Sequence, residues 1–289
     1  MNLSKKFLSI LPIFICYTLL EVQAQNLING FSVGKGNFNF SSSYTYETFD
    51  ELIVEDEVRD ISTTLGEFDV NSISLYGEYG ITDRLDVIAT LPYIITIADN
   101  GMREIREEGF QDMSLFLKYA FYRRDTENTS LNVVGAVGYS FPVSDYDPTT
   151  SVNIGTHTNN ARLALAGINR WKSGFFAEIS SEYAIRNEGA PNLLSGHAKV
   201  GWLNDKFYTH VWYQFSECFN GSVLGQPERN YQDLNTDAQR IGVLVAYKVI
   251  PRLSVFTGAG TFLNGENIAN TKYFVNVGIS TSLYFLQGV

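Results

Sequence analysis

The sequence predicts an all-β protein, a transmembrane antiparallel up-and-down β-barrel of about twelve strands. Three observations predict this fold. Many short segments alternate between apolar and polar positions, as strands with one apolar face do. The connections between these segments alternate between long and short, which is typical of membrane barrels. After residue 24, no run is long and apolar enough for a transmembrane helix, which needs roughly 20 residues.

The start of the chain has the pattern of a secretory signal peptide. Lys5 and Lys6 form a short cationic region, and an apolar run over residues 7–20 follows. Small or tolerated residues at 22–24 then suit a cleavage site. We therefore expect cleavage near Ala24, and two parts: a signal peptide over residues 1–24 and an outer-membrane β-barrel over residues 25–289.

The composition argues against several classes of protein. Charged residues make up 18% of the chain, against roughly 25% in a typical globular protein. The net charge is −10, and an acidic exported protein without a basic patch is a poor nucleic-acid binder. Cys218 alone remains after the expected cleavage, so no internal disulfide is predicted. The histidines His157, His197 and His210 lack the spacing of metal motifs, so no metal or other cofactor is predicted.

The strands are assigned from their alternation. From Arg84 to Ile97 the odd-numbered positions from Leu85 onward are apolar, whereas Asp86 and Thr90 fall on the opposite face. The same test along the chain predicts twelve strands, an even number as in bacterial barrels. Their approximate spans are 36–49, 68–79, 84–97, 110–122, 130–144, 160–169, 174–186, 194–203, 206–218, 237–249, 252–264 and 271–285.

The connections set the orientation. Short ones, such as 80–83 and 204–205, alternate with long ones, such as 50–67 and 219–236. Because outer-membrane barrels have short periplasmic turns and longer outer loops, both termini are predicted to lie on the periplasmic side.

The charges within the strands predict which face points inward. Nearly all of them share the face opposite the apolar one, and a charge on the lipid face costs roughly 2–4 kcal/mol at the membrane midplane. We therefore expect the apolar face to meet lipid and the polar face to line a lumen. The candidate lumen-lining residues are Asp86, Asp112, Lys118, Glu178, Glu182, Arg186, Lys199, Arg240 and Lys248, with Glu78 and Lys272 on the same face.

Aromatic residues near strand ends predict two interfacial belts. A secreted soluble β-protein is the alternative, but such a protein hides its apolar face. The predicted location is therefore the cell outer membrane, with membrane lipid and lipopolysaccharide as partners. The last strand alternates toward Phe285, which resembles the C-terminal signal read by the barrel assembly machinery. The belts are expected at Tyr76, Tyr79, Tyr119, Phe121, Trp171, Trp202, Tyr247 and Phe285 on the periplasmic side, and at Tyr46, Phe49, Tyr139, Phe141, Tyr213, Phe215 and Tyr273 on the outer side.

Two segments carry a family resemblance. The stretch YGITDRLDVIATLPYI, residues 79–94, pairs a tight turn with a strand ending in Leu-Pro-Tyr, and FQDMSLFLKYAFY, residues 110–122, follows. Together they resemble the outer-membrane barrel family associated with the meta-pathway of phenol degradation. The resemblance is sharpest over residues 68–145 and architectural after that. It implies a membrane barrel with a transport function, and it names no ligand.

The residues predicted to line the lumen are the basis of the function hypotheses. Their mixed charges favour a narrow, porin-like channel or transporter for small solutes, hydrophobic or aromatic ones included, because ionisable groups within a membrane mark pathways. A closed barrel with a structural or partner-binding role is the alternative. The inward side chains of Phe116, Trp212, Phe256 and Phe274 argue against a wide, open porin.

Two other possibilities have less support. An outer-membrane enzyme is not expected, because neither His197 nor His210 has the nucleophile and base spacing that acyl transfer needs. The acidic loop at residues 50–60 could bind divalent cations near lipopolysaccharide, but a solvated surface loop is the simpler interpretation. Between Gln25 and the first strand there is room for about ten residues, so no plug domain is expected.

Overall fold

The computed structural model describes residues 27–54, 57–187, 189–223 and 231–284. The predicted signal peptide and the predicted belt residue Phe285 lie outside these ranges. Within them, no helix is long and apolar enough to cross a membrane. The strands are β1 (Asn37–Phe49), β2 (Glu51–Val54), β3 (Glu57–Asp60), β4 (Glu67–Gly80), β5 (Leu85–Asp99), β6 (Glu104–Phe110), β7 (Asp112–Asp125), β8 (Thr129–Pro142), β9 (Asn160–Trp171), β10 (Phe175–Arg186), β11 (Asn192–Leu203), β12 (Phe207–Phe219), β13 (Asp237–Ile250), β14 (Leu253–Glu266), β15 (Ile268–Ala269) and β16 (Tyr273–Tyr284). A short 3-10 turn spans Tyr231–Asp233.

Twelve of these strands form one closed antiparallel barrel. Around it the order is β1, β4, β5, β7, β8, β9, β10, β11, β12, β13, β14 and β16, and β16 pairs back onto β1. Every pair is antiparallel, so each backbone N–H and C=O of the wall can find a partner within the sheet, as a membrane-spanning fold requires. The predicted fold and strand number are therefore confirmed.

The remaining strands belong to the long loops. β6 extends the hairpin of β5 and runs into β7 with a register shift of one residue at Gln111. β2, β3 and β15 form a separate three-stranded sheet. The alternation pattern of the sequence predicts loops where β6, β2 and β3 lie. These strands carry no apolar face of the membrane type, and β6 alternates only between exposed and half-buried positions.

The apolar face of the wall points outward, as predicted. On β5 the odd-numbered residues are half-buried and the even-numbered ones from Asp86 to Ala98 are buried. Large apolar side chains such as Leu117, Ile179 and Val200 are 49%, 70% and 64% exposed, which suits a surface that faces lipid.

Three of the predicted positions are wrong. Tyr76 points inward, where its hydroxyl donates to Glu78 Oε2 at 2.9 Å, because the even-numbered residues of β4 face the interior. Phe49 is also buried and stacks on Phe68 beneath the outer loops, with ring centroids 4.7 Å apart. Lys272 is exposed before β16 begins, where its Nζ lies 2.7 Å from Asp50 Oδ2 of the first long loop.

Large aromatic rings of the interior lie against glycines of the neighbouring strand. A Cβ atom added at any of these glycines would lie 2.2 to 2.6 Å from the ring, so the ring occupies the space of the missing side chain. The predicted inward aromatics therefore pack against the wall and leave more of the lumen free than their size indicates. The directly paired residues are Phe116 with Gly138, Phe176 with Gly201, Trp212 with Gly242, Phe256 with Gly278 and Phe274 with Gly260.

Candidate functional site

The interior holds a chamber of about 480 Å³, a volume within the range of small-molecule sites. Trp212, Phe256 and Phe274 line it from the strands β12, β14 and β16. Polar and charged residues of β7, β9 and β10 line another part of it: Asp112, Ser114, Arg162, Glu182 and Arg186. The chamber therefore offers both aromatic and ionic surfaces.

Arg162 on β9 is the most fully engaged cation of the chamber. Its Nε donates to Glu182 Oε1 at 2.7 Å, and its Nη1 donates to the hydroxyls of Ser114 at 2.9 Å and Ser140 at 3.1 Å. Its guanidinium lies 5.1 Å from the centroid of the Phe116 ring. These contacts hold the guanidinium in one orientation on the polar wall.

Two further ion pairs connect neighbouring or nearby strands. Arg240 forms a bidentate ion pair with Glu47. Its Nη2 donates to Oε1 at 3.0 Å and its Nη1 donates to Oε2 at 3.2 Å. Lys199 Nζ lies 3.1 Å from Glu178 Oε1. Each pair joins a chamber-lining cation to a carboxylate whose side chain is less exposed.

Arg186, at the outer end of β10, differs from the other cations. The described residues include no carboxylate within 4.0 Å of its guanidinium and no acceptor of a hydrogen bond from it. Its backbone N–H donates to Asn192 Oδ1 at 3.0 Å, which fixes the end of the strand. Its side chain lines the chamber, and no described residue accepts a hydrogen bond from its guanidinium.

The outer loops cover the chamber from one side. Tyr146 donates its hydroxyl to Asp112 Oδ1 at 2.6 Å and accepts the backbone N–H of His157 at 2.9 Å. Burial of Tyr146 and its bond to Asp112 raise the pKa of the phenol far above its usual value, so it stays a donor at working pH. An apolar cluster that includes Phe49, Phe68 and Val152 packs the same end.

The chain segment before β1 closes the other side. We call residues 27–36 the N-terminal segment. Ile28 is fully buried in a cluster with Ile88, Phe116 and Val134. Leu27 and Asn29 of this segment form the periplasmic floor of the chamber. The ten residues that seemed too few for a plug thus enter the barrel and fill its periplasmic half.

Hydrogen bonds fix the N-terminal segment to the wall. Gly30 donates its N–H to Glu178 Oε2 at 3.2 Å, and Asn132 Nδ2 donates to the Gly30 carbonyl at 2.7 Å. Lys118 Nζ donates to the carbonyl of Phe31 at 2.7 Å. The ring of Phe31 makes an edge contact with Phe176, with centroids 6.0 Å apart.

Beside this segment, Lys118 lies between two carboxylates. Its Nζ contacts Glu78 and is 3.4 Å from Asp86 Oδ2, and all three side chains are almost completely buried. A buried charge is tolerated only when it is paired, so this triad is a packed structural element of the periplasmic half.

The structure places the nine predicted lumen residues in three settings. Five line the chamber: Asp112, Glu182, Arg186, Lys199 and Arg240. Three are buried in the periplasmic half: Asp86, Lys118 and Glu178. Lys248 is exposed near the periplasmic end of β13, on the strand face that carries Arg240 and Leu244, and it does not line the chamber.

Sequence reasoning missed the N-terminal segment, Arg162 and Glu47. Arg162 shares the inward face of β9 with Ala164 and Ala166, and this strand alternated too weakly for its faces to be assigned. Glu47 also faces inward on β1, among serines and threonines. The sequence of residues 27–31, Leu-Ile-Asn-Gly-Phe, is mostly apolar and includes a glycine. Such a composition is typical of a segment packed inside a protein and could have indicated this position.

The remaining predicted features lie apart from the chamber or pack its wall. His197 stacks on Trp212 with centroids 5.6 Å apart, and His210 makes an edge contact with Tyr208 at 5.2 Å. Of the acidic loop, Glu55 and Asp56 lie outside the described residues. The described part includes no group of three His, Cys, Asp or Glu side chains that could hold a metal ion.

The chain is similar to solved structures of outer-membrane barrels, and the first of the two given next supports the fold. The COG4313 outer membrane channel from Pseudomonas putida F1 superposes with a TM-score of 0.73 at 13% identity, covering 91% of this chain and 100% of that chain. The NanC porin gives a TM-score of 0.49 at 10% identity, covering 85% and 100%. No curated protein sequence matches the chain. A family model described as "Putative MetA-pathway of phenol degradation" matches residues 29–280, and the chain therefore belongs to that family of outer-membrane β-barrels.

Proposed function

We propose that this protein is an outer-membrane channel that carries small solutes, aromatic ones included, by way of the chamber. The single observation that carries the proposal is the chamber itself, about 480 Å³ of space lined by charged side chains inside a closed barrel. A barrel with only a structural role would be more stable with that space packed, because cavities and incompletely matched charges both destabilise. The name of the family, which refers to phenol degradation, is consistent with aromatic solutes.

The N-terminal segment is proposed as the periplasmic gate. It joins the wall covalently only at Asn37, where β1 begins, and otherwise through hydrogen bonds and apolar packing. A solute that reaches the chamber from outside could leave when this segment withdraws. Removal of a signal peptide over residues 1–24, with assembly into lipid and lipopolysaccharide by the barrel machinery, is the proposed route by which the segment becomes free to fold inward.

Single-channel recording in planar bilayers tests this function. Wild-type protein is expected to show small or infrequent conductance, because the gate is closed in the structure. A variant lacking residues 27–33, which keeps the turn at Gly34, should show larger and longer openings. Correct folding of both proteins is checked by their heat-dependent shift on gels.

The alternative is a closed structural barrel, and the dense packing of the periplasmic half favours it. That function predicts a silent trace from the deletion variant as well as from the wild type. A folded deletion variant without conductance, with and without aromatic solutes present, would therefore overturn the channel proposal.

A further inference from the structure

We propose that the chamber recognises small organic anions, with the anionic group at Arg186 and an apolar or aromatic body against Trp212 and Phe274. This inference rests on the proposed channel function and narrows its solute class. Three features of the chamber support this inference: the charges that line it, the guanidinium of Arg186, which has no partner among the described residues, and the position of the aromatic wall formed by Trp212 and Phe274.

In each ion pair of the chamber the cation is the more exposed partner. The side chain of Arg162 is 19% exposed against 2% for Glu182, and Lys199 is 6% exposed against 1% for Glu178. Arg240 is 18% exposed against 13% for Glu47. Both partners face the barrel interior, where the chamber is lined by four cations (Arg162, Arg186, Lys199 and Arg240) and two carboxylates (Asp112 and Glu182). A solute in the chamber therefore meets mainly positive groups, although the pairs themselves are neutral.

Arg186 adds a cation whose donors are not used by the described residues. A guanidinium carries five N–H donors in a planar fork that matches the two oxygens of a carboxylate. Asp112 accepts the Tyr146 hydroxyl through Oδ1, and Glu182 accepts Arg162 through Oε1, while Glu182 Oε2 has no partner among the described residues. An incoming anion could satisfy the Arg186 fork without breaking either contact.

Phe274 lies across the barrel from the cations of β9, whereas Trp212, on β12, is only two strands from β10. In the closed order of twelve strands, β16 and β9 are six strands apart and hence opposite. Trp212 and Phe274 stack with centroids 5.8 Å apart, and the small exposed part of this pair, 3% of Trp212 and 2% of Phe274, lines the chamber. A molecule with a charged group at one end and a ring at the other would contact both walls.

An inorganic anion would use only half of this site. Phosphate or chloride could approach Arg186 but would make no apolar contact with the rings of Trp212 and Phe274. A neutral aromatic alcohol would use only the other half. The arrangement therefore favours an aromatic or apolar acid, and it predicts that charge and ring both contribute to binding.

Fluorescence of Trp212 provides a direct test. The chain has three tryptophans, and Trp171 and Trp202 lie on the outward face, so a W171F/W202F variant reports the chamber alone. This protein is refolded into detergent with benzoate, benzyl alcohol, benzylammonium or phosphate present, so that a closed gate does not exclude the probe. Bilayer conductance is recorded on the same preparations.

The variants are Arg186→Gln, Arg186→Lys and, as a control, Lys248→Gln at the exposed rim. We expect benzoate to change Trp212 emission at lower concentration than benzyl alcohol, phosphate or benzylammonium. Arg186→Gln should weaken benzoate binding by roughly tenfold or more, the usual loss for a charged hydrogen bond, and should leave benzyl alcohol unchanged. Arg186→Lys should recover part of the affinity, and Lys248→Gln should have no effect.

The contrary results are distinct. Equal binding of benzoate and benzyl alcohol, unaffected by Arg186→Gln, would overturn anion recognition while conductance still supported the channel. Preference for benzylammonium would also overturn it. Binding of phosphate as tightly as benzoate would show that the aromatic ring of the ligand does not contribute to binding. No response to any probe after refolding would contradict the inference, and only a silent bilayer trace from the gate deletion would contradict the channel as well.

Discussion

The two halves of the barrel interior use charged residues in opposite ways. In the periplasmic half, Lys118 is enclosed by Glu78 and Asp86 and packed beneath the N-terminal segment. In the outer half, Arg162, Arg186 and Arg240 line a cavity and keep part of their surface exposed to it. The same inward face of the sheet thus forms a packed core at one end and a solvated site at the other. What distinguishes them is the presence of a segment that fills the space.

The largest expected effect on the free energy of unfolding comes from disrupting the buried triad of the periplasmic half. Replacing Lys118 with Met leaves Glu78 and Asp86 buried without a cation, and such a loss destabilises by about 3–5 kcal/mol. Urea unfolding of the protein in detergent micelles measures it. Lys248→Met removes an exposed cation from the rim and should change the free energy of unfolding by no more than about 0.5 kcal/mol. Equal effects of the two substitutions would show that the periplasmic half is not a packed core.

The comparison also requires that both halves share one lipid-facing wall. Arginine at Leu117, which is 49% exposed on the outward face, should lower stability in lipid by roughly 2–4 kcal/mol. Arginine at Ser43, which lines the chamber from β1, should be tolerated better because the chamber has room for it. Refolding yield into lipid vesicles compares the two. If the Ser43 variant were the more damaged, the assignment of the two faces would fail.

A smaller effect should follow from the aromatic packing against glycine. Alanine at Gly242 would place its Cβ 2.4 Å from the ring of Trp212 and push the ring toward the chamber, an overpacking that costs about 1–3 kcal/mol. Gly167 of β9 has no heavy atom within 4 Å of such a Cβ, so alanine there is the matched control. Thermal unfolding followed by Trp fluorescence distinguishes them. A Gly242→Ala variant as stable as the control would show that the position of the Trp212 ring does not require a glycine at residue 242.

The smallest expected effect concerns the outer cover. Phenylalanine at Tyr146 removes the hydrogen bond to Asp112 and should cost about 1 kcal/mol, with faster protease cleavage in the loop after β8. Thr149→Ala, in the same loop but bonded only locally to Asp147, serves as the control. Unchanged cleavage of the Tyr146 variant would indicate that the loop is held by its apolar cluster alone.

Much of the wall could be predicted from the sequence, but less of the interior. Alternation assigns each residue to a face, which explains why Asp112, Glu182, Arg186 and Arg240 were recognised as inward. It does not report which side chains pair across the lumen, so the pairing of Arg240 with Glu47, more than 190 residues away, required the closed barrel. Nor does it report how far along the barrel axis a residue lies, so it does not separate Lys248, exposed near the periplasmic end of β13, from the residues that line the chamber.

The N-terminal segment shows a different limit. Its position depends on tertiary contacts, such as Gly30 with Glu178 and Ile28 with Val134, that join it to strands far along the chain. No local periodicity encodes these contacts, because the segment forms neither a strand nor a helix. Residues too few for a plug domain can still close a twelve-stranded barrel when they are apolar and small.

Closure of the periplasmic end of the chamber by the N-terminal segment can be tested with a reversible crosslink. Asn132 Nδ2 lies 3.4 Å from Ser32 Oγ, so cysteines at both positions, in a Cys218→Ser background, should form a disulfide that holds the segment inside. We expect a silent bilayer trace when the pair is oxidised and discrete conductance after reduction. Equal conductance in both states, with the crosslink verified by mass spectrometry, would contradict it.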